Sequence, residues 1–232
     1  TVDIDFLLKS LPNTPEQLQA ILERIISVDT GNEFITFEIK SVLPISVAKK
    51  YAGISASLVA HIKNTRTPFS IDFGVGDVIV PKQEKRKIPT QLNDFSSPMI
   101  NTYSLETTIA EKIDAILSLM EFSSRMKDYY DIYYLANKFD FDGKILVDAL
   151  KRTFANREHN FTVEQFEQVM SFDADDLMQR KWKAFIKKID AKTDDFSKVI
   201  NTIDDFLRFP IETALNGTNF LMQWKASSNI WE

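Results

Sequence analysis

Asp3 and Asp5 lie within Thr1-Val2-Asp3-Ile4-Asp5-Phe6, a strictly alternating run that puts both acids on one face of a strand and Val2, Ile4 and Phe6 on the other. Two carboxylates side by side repel, and a cation between them removes the penalty. Mg²⁺ suits such a pair because it prefers hard oxygen ligands and keeps sites free for water and substrate phosphates. The competing reading is an Asp-x-Asp on a solvated edge strand. A second alternating run, Phe69-Ser70-Ile71-Asp72-Phe73, sets Ser70 and Asp72 opposite the three apolar residues. If the two strands are neighbours, Asp3, Asp5 and Asp72 form the acidic cluster of a two-metal site, one ion activating the attacking oxygen and the other holding a triphosphate. The Gly74-Val75-Gly76-Asp77 that follows permits a tight turn but is not a P-loop.

Two further constellations lie beside apolar helical stripes. Leu105, Ile109, Ile113, Ile116, Leu117 and Met120 form one arc at helical spacing, with Lys112 at its edge. An ammonium carried along such an edge can reach a cleft and meet a β- or γ-phosphate, or it can simply snorkel to solvent. In Arg125-Met126-Lys127-Asp128-Tyr129-Tyr130-Asp131, the helical repeat gathers Lys127, Asp128 and Asp131 on one patch. Either Lys127 pairs with Asp131 four residues on, or Asp128 or Asp131 acts as a base or substrate-orienting carboxylate tuned by Arg125 and Lys127.

Other chemistries are excluded or disfavoured. The 232 residues include no Cys, which removes disulfides, zinc-thiolate sites and thiol nucleophiles. His61 and His159 are the only histidines and have no ligand-spaced partner. Asp173-Ala174-Asp175-Asp176 lacks the Gly and the bidentate Glu of a calcium loop and reads as an acidic helix N-terminus. No apolar run reaches the roughly 20 residues needed to cross a bilayer, and no basic leader precedes one, so the expectation is a cytoplasmic protein with no membrane contact. The net charge of −5 argues against whole-surface binding of nucleic acid while leaving room for a local basic patch.

The elements that must position these side chains divide into two halves. Val2–Leu8, Glu33–Leu43, Ile54–Ile62, Phe69–Val75 and Met99–Tyr103 read as strands. One helix interrupts them, starting after Asn13 or Thr14 with Pro15 in its first turn and Leu18, Ile21, Leu22, Ile25 and Ile26 as its apolar stripe. From Ser104, a plausible N-cap with Thr107 where a capping box would carry Glu, amphipathic helices follow to about Arg208. Tyr129, Tyr130, Tyr133 and Tyr134 read as residues packed into the domain interface, with base stacking as the alternative, and Trp182, Phe185, Ile186, Ile189, Phe196, Ile200, Ile203 and Phe206 as helical core. The charged run Lys82–Lys87 reads as a solvated loop, with a phosphate-contacting strip as the sharper alternative.

In this order the motifs resemble the AbiEii/AbiGii toxins, the nucleotidyltransferase component of type IV, or abortive infection, toxin–antitoxin systems within the DNA polymerase β-like superfamily. The residues carrying the resemblance are Thr1–Phe6, Ser70-Ile71-Asp72, Leu105-Glu106-Thr107-Thr108-Ile109-Ala110-Glu111-Lys112 and Arg125–Asp131; it spans roughly residues 1 to 140. It implies an α+β fold: a mixed-sheet nucleotidyltransferase domain over residues 1–103, then a helical domain over 104–232 that completes the nucleotide cleft. It also implies Mg²⁺, expected as two ions, an NTP substrate, a tRNA acceptor, a cognate antitoxin and a role in phage defence. By the same matching Asp3, Asp5 and Asp72 are metal ligands and catalytic, and Lys112 and Asp128 are catalytic. Lys112, Arg125, Lys127 and Asp131 contact the nucleotide. The family's first motif carries a Gly-Ser pair upstream of its two acids, so the expectation is a chain cut short before Thr1, with activity impaired. A catalytically silent nucleotide-sensing or partner-binding module, and a small-molecule adenylyltransferase of the aminoglycoside kind, are the alternatives on the same fold.

Overall fold

The computed structural model describes residues 3–9, 14–31, 34–45, 53–90 and 94–232, which form two compact units, Thr1–Asp77 and Val78–Glu232. The architecture is α+β, a four-stranded mixed sheet in the first unit and a helical assembly in the second. No helix among the described residues is long and apolar enough to cross a membrane.

In the first unit β1 (Asp3–Leu8), β4 (Thr65–Val75), β3 (Ile54–Ile62) and β2 (Ile35–Pro44) lie side by side in that order. β1 runs parallel to β4, and the other neighbours are antiparallel. The expected first and second strands also included Val2 and Glu33, which lie outside the described residues. The period-two pattern sorts the faces. Ile54, Ala56 and Leu58 of β3 stand opposite Phe73, Ile71 and Phe69 of β4, and α1 (Pro15–Ile26) covers this face with Leu18 and Leu22. Thr14 caps α1 through Gln17 N–H, and Pro15 starts it where its missing N–H costs nothing. The opposite face carries Ser55 and Ser57 of β3 next to Asp72 and Ser70 of β4. Gly76, at φ 84°, turns the chain out of β4.

The second unit opens with a hairpin, β5 (Glu84–Lys87) on β6 (Met99–Thr102). The run at Lys82–Lys87, expected as a loop, thus contributes a strand in which Arg86 pairs with Glu84 at 2.7 Å. Helices α2 (Leu105–Leu119), α3 (Met126–Lys138), α4 (Gly143–Asn156), α5 (Val163–Met170), α6 (Asp176–Ile189) and α7 (Phe196–Asn216) follow. α7 is central: its Phe196, Val199, Ile200, Ile203, Phe206, Leu207 and Ile211 are all buried, and α3, α4 and α5 pack on it. Asp175 caps α6, as the acidic run Asp173–Asp176 foretold.

Ser104 caps α2, and Thr107 does something other than complete a capping box. Val80 N–H donates to Thr107 Oγ1 at 2.8 Å while Ser104 Oγ donates to Val80 O, so the two hydroxyls fasten the incoming chain to the helix start. Beyond the expected helical limit near Arg208, α7 continues to Asn216 and the chain ends in β8 (Gln223–Lys225) and β9 (Ile230–Trp231), which join β7 (Phe141–Asp142) in a small sheet. Trp224 is fully buried there and its indole donates to Ala136 O at 2.7 Å. Gly143 makes room for this tail: a Cβ on it would sit 2.4 Å from the Phe220 ring and 2.7 Å from Met222 O.

Candidate functional site

The candidate residues fall into two groups, one in each unit. In the sheet, register makes Asp5 of β1 the direct neighbour of Asp72 of β4, and Asp3 that of Ser70. Adjacent residues in register share a face, so Asp5 and Asp72 stand together on the face away from α1. Asp5 is exposed and Asp72 partly so. The side chain of Asp3 lies outside the described residues, and among the described residues no group of three or more His, Asp or Glu is placed to hold a metal ion. Ser55 Oγ donates to Asp72 Oδ1 at 2.6 Å and fixes that carboxylate. Sequence reasoning missed Ser55, although the alternation Ile54-Ser55-Ala56-Ser57-Leu58 carried the signal: two hydroxyls on the polar face of a central strand. Carboxylate and hydroxyl oxygens on one solvent-accessible face are the hard donor set that Mg²⁺ takes, and they leave space for phosphate oxygens.

In the helical unit the expected cation and acids do meet, with a different pairing. Lys112 of α2 lays its stem beside the apolar arc and reaches α3, its Nζ 3.2 Å from Asp128 Oδ1 and 2.7 Å from Asp131 Oδ2. The Lys127–Asp131 pair anticipated along α3 does not form, and Lys127 is exposed. Arg125 closes on the same acid, Nε 2.5 Å from Asp128 Oδ2 and Nη2 3.3 Å from Oδ1. Asp128 is 1% exposed, a burial that a carboxylate tolerates because two cations and three hydrogen bonds surround it. Of the four tyrosines of α3, Tyr129 lies edge-on to Phe196 and Tyr130 lies against Trp182 and Phe185, Tyr133 donates its hydroxyl to Asp194, and Tyr134, expected to pack, is about half exposed. Burial, with the Asp128 charge adding to it, pushes the Tyr129 phenol up.

A second buried acid went unnoticed in the sequence. Asp114 of α2 receives Arg157 Nη1 at 2.8 Å and His159 Nδ1 at 2.8 Å, which accounts for one of the two histidines. Ser118 Oγ lies 3.3 Å from the same ring nitrogen. Because serine and aspartate both address Nδ1, no proton relay from Ser118 through the ring exists, and the cluster fastens α2 to the end of α4. The signal was an aspartate directly after Ile113, about 60° beyond Leu117 on the helix circumference and between Ala110 and Thr107.

The model of one family, the nucleotidyl transferase AbiEii toxin of type IV toxin–antitoxin systems, matches residues 1–208. The chain belongs to the AbiEii family. The match spans all four motifs read from the sequence and runs through α3, α4, α5 and α6 into α7. AbiEii proteins are nucleotidyltransferase toxins, each the toxin half of a toxin–antitoxin pair. No curated protein matches the sequence. Among solved structures, JHP933 from Helicobacter pylori shares 11% identity over 94% of this chain and 76% of its own, with a TM-score of 0.46. A second H. pylori protein, described as a nucleotidyltransferase, shares 13% identity over 94% of this chain and 79% of its own, with a TM-score of 0.43.

Proposed function

We propose that this AbiEii protein transfers a nucleotidyl group from an NTP to an acceptor hydroxyl on tRNA in a reaction that requires a divalent cation, and that a cognate antitoxin relieves the resulting toxicity. The observation that carries the reading is the side-by-side placement of Asp5 and Asp72 on the face of the mixed sheet opposite α1, with the Ser55 hydroxyl holding Asp72.

Asp5, Asp72 and, from its place in β1, Asp3 are the residues that would hold Mg²⁺. When bound, the ion supplies charge neutralisation of the triphosphate and of the attacking oxygen. The chain's own residues do the rest. Ser55 keeps the Asp72 carboxylate from turning away. By the motif match Lys112 is the cation proposed for phosphate oxygens, and Asp128 and Asp131 hold its ammonium. Asp128 is therefore a positioning residue, and Arg125, itself paired with Asp128, and the exposed Lys127 are the further cations proposed to meet phosphate oxygens.

The test is incorporation of labelled NTPs into a purified tRNA pool, with and without Mg²⁺, by the parent chain and by Asp5→Asn and Asp72→Asn. We expect labelling only with the metal, and a loss of at least about 100-fold in either variant, the scale of removing one preorganised electrostatic group. Parental labelling by Asp5→Asn, or labelling in excess chelator, would overturn the proposal. One observation favours a second reading, a nucleotide-binding module without turnover: Lys112 is already engaged by two carboxylates. Calorimetric binding of Mg²⁺-NTP with no incorporation into any RNA would select it.

A further inference from the structure

Helix α6 carries five cations, Arg180, Lys181, Lys183, Lys187 and Lys188, against a single acid, Asp176, in a chain whose net charge is −5. At 3.6 residues per turn, Lys183, Lys187, Arg180 and Lys188 fall within an arc of about 140° that also holds Ala184 and, in the first turn, Asp176 and Leu177. All four are exposed, and among the described residues none has an ion pair or hydrogen bond. Lys181, at the margin, is different: it donates to Glu121 O and Ser123 O and belongs to the fold. The helix dipole accounts for Lys187 and Lys188 in the last turn but not for Arg180 and Lys183. Cations spaced three and four apart on a helix repel, so folding alone gives no reason to assemble this stripe.

We infer that the Arg180–Lys183–Lys187–Lys188 face of α6 binds the phosphate backbone of RNA, the acceptor-side surface of the reaction proposed above; the inference rests on that reading. The composition of the helix selects this partner over others. A membrane-surface helix needs its apolar face free, whereas here Met178 and Trp182 are buried in the helical core. A protein interface needs an apolar or aromatic centre and is poor in lysine, whereas this face is mostly lysine and arginine, with Leu177 in the first turn as its one large apolar side chain. Phosphate contacts need only cations on a rigid scaffold, and they confer register without sequence preference.

The test measures binding of fluorescent tRNA to the full chain as a function of salt, for the parent, for Arg180→Gln with Lys183→Gln, and for Lys138→Gln with Arg152→Gln. The last pair removes the same charge from exposed positions on α3 and α4. Gln keeps the helix propensity of Lys and Arg, and circular dichroism verifies the fold. Each lost phosphate contact lowers the slope of log K against log salt by about 0.7 to 0.9, so the α6 pair should bind about 30-fold more weakly at 0.1 M salt if the two proteins agree at 1 M. The control pair should keep the parental slope. Equal slopes for parent and α6 variant overturn the inference while leaving nucleotide transfer standing. An equal loss in the control pair reduces the effect to net charge and also overturns it. Failure of the parent to bind tRNA, with transfer to another acceptor intact, removes this inference and the tRNA acceptor together. Loss of binding to phosphatidylserine vesicles or to an antitoxin, with tRNA binding unchanged, assigns the face to another partner.

Discussion

Single side chains in α2 show how burial and charge compete within one helix. Glu106 lies in the first turn, where the helix dipole favours an anion, yet burial, with the nearby Glu84 charge adding to it, holds its carboxyl above the usual range. The folded chain therefore binds this proton more tightly than the unfolded chain, and stability declines as pH rises from the ordinary carboxylate range through the raised folded value. Glu106→Gln should be more stable than the parent at pH 7, with the difference narrowing at pH 4, where the carboxyl is mostly protonated in both states of the parent. Urea midpoints at the two pH values check this; a difference that does not change between them would refute the desolvation account. The same helix shows what a sequence can and cannot reveal at this scale. Lys112 was legible as the cation at the edge of an apolar arc, because that follows from residue spacing. Its partners were not: Asp128 and Asp131 are acids of another helix, and a local i,i+4 rule pointed to Lys127. Local spacing reports the face a residue occupies, and only packing decides whom it meets.

At the scale of elements, the strand Ile54–Ile62 and the start of α2 were readable residue by residue, since alternation and a capping serine are local signals. The β5 strand was not, because Glu84–Lys87 has no apolar alternation and is ordered by pairing with Met99–Thr102. The continuation of α7 past Arg208 was hidden by Pro210, which ends or kinks most helices by removing an N–H and a hydrogen bond to the residue four before it. That residue is Phe206, and its carbonyl accepts from the Trp231 indole at 3.1 Å. A side chain more than twenty positions away thus satisfies the acceptor the proline leaves bare, while the rings of Phe206 and Trp231 stack 5.9 Å apart. Trp231→Phe should keep most of the ring contact and orphan the carbonyl, at a cost of about 1–3 kcal/mol. In a Pro210→Ala background the helix can make its own bond, and the same substitution should cost appreciably less. Denaturant unfolding of the four proteins gives the coupling; additive effects would mean that the indole bond does not compensate for the proline.

Across the whole molecule, the two units are unequally built. Among the described residues the helical unit gathers 29 buried apolar side chains into one cluster and the sheet unit only seven, and stability per unit follows the apolar area removed from water. The sheet unit also leaves Ile4 and Phe6 of its edge strand about half exposed. Protection from hydrogen exchange should accordingly be lost first in Thr1–Asp77 as urea is raised, with Val78–Glu232 following at higher concentration. The proposed ion couples to this difference, because a ligand held only by folded Asp5 and Asp72 stabilises the unit containing them by about 2.7 kcal/mol at a hundredfold excess over its Kd. Mg²⁺ with a non-hydrolysable NTP should therefore delay loss of protection in the sheet unit of the parent and not in Asp5→Asn, whose exposed carboxylate is not needed for packing. A matching delay in the variant would place the cation elsewhere, even if nucleotide transfer itself were observed. Exchange read segment by segment thus separates where the ion binds from whether the enzyme turns over, two questions that an activity assay merges.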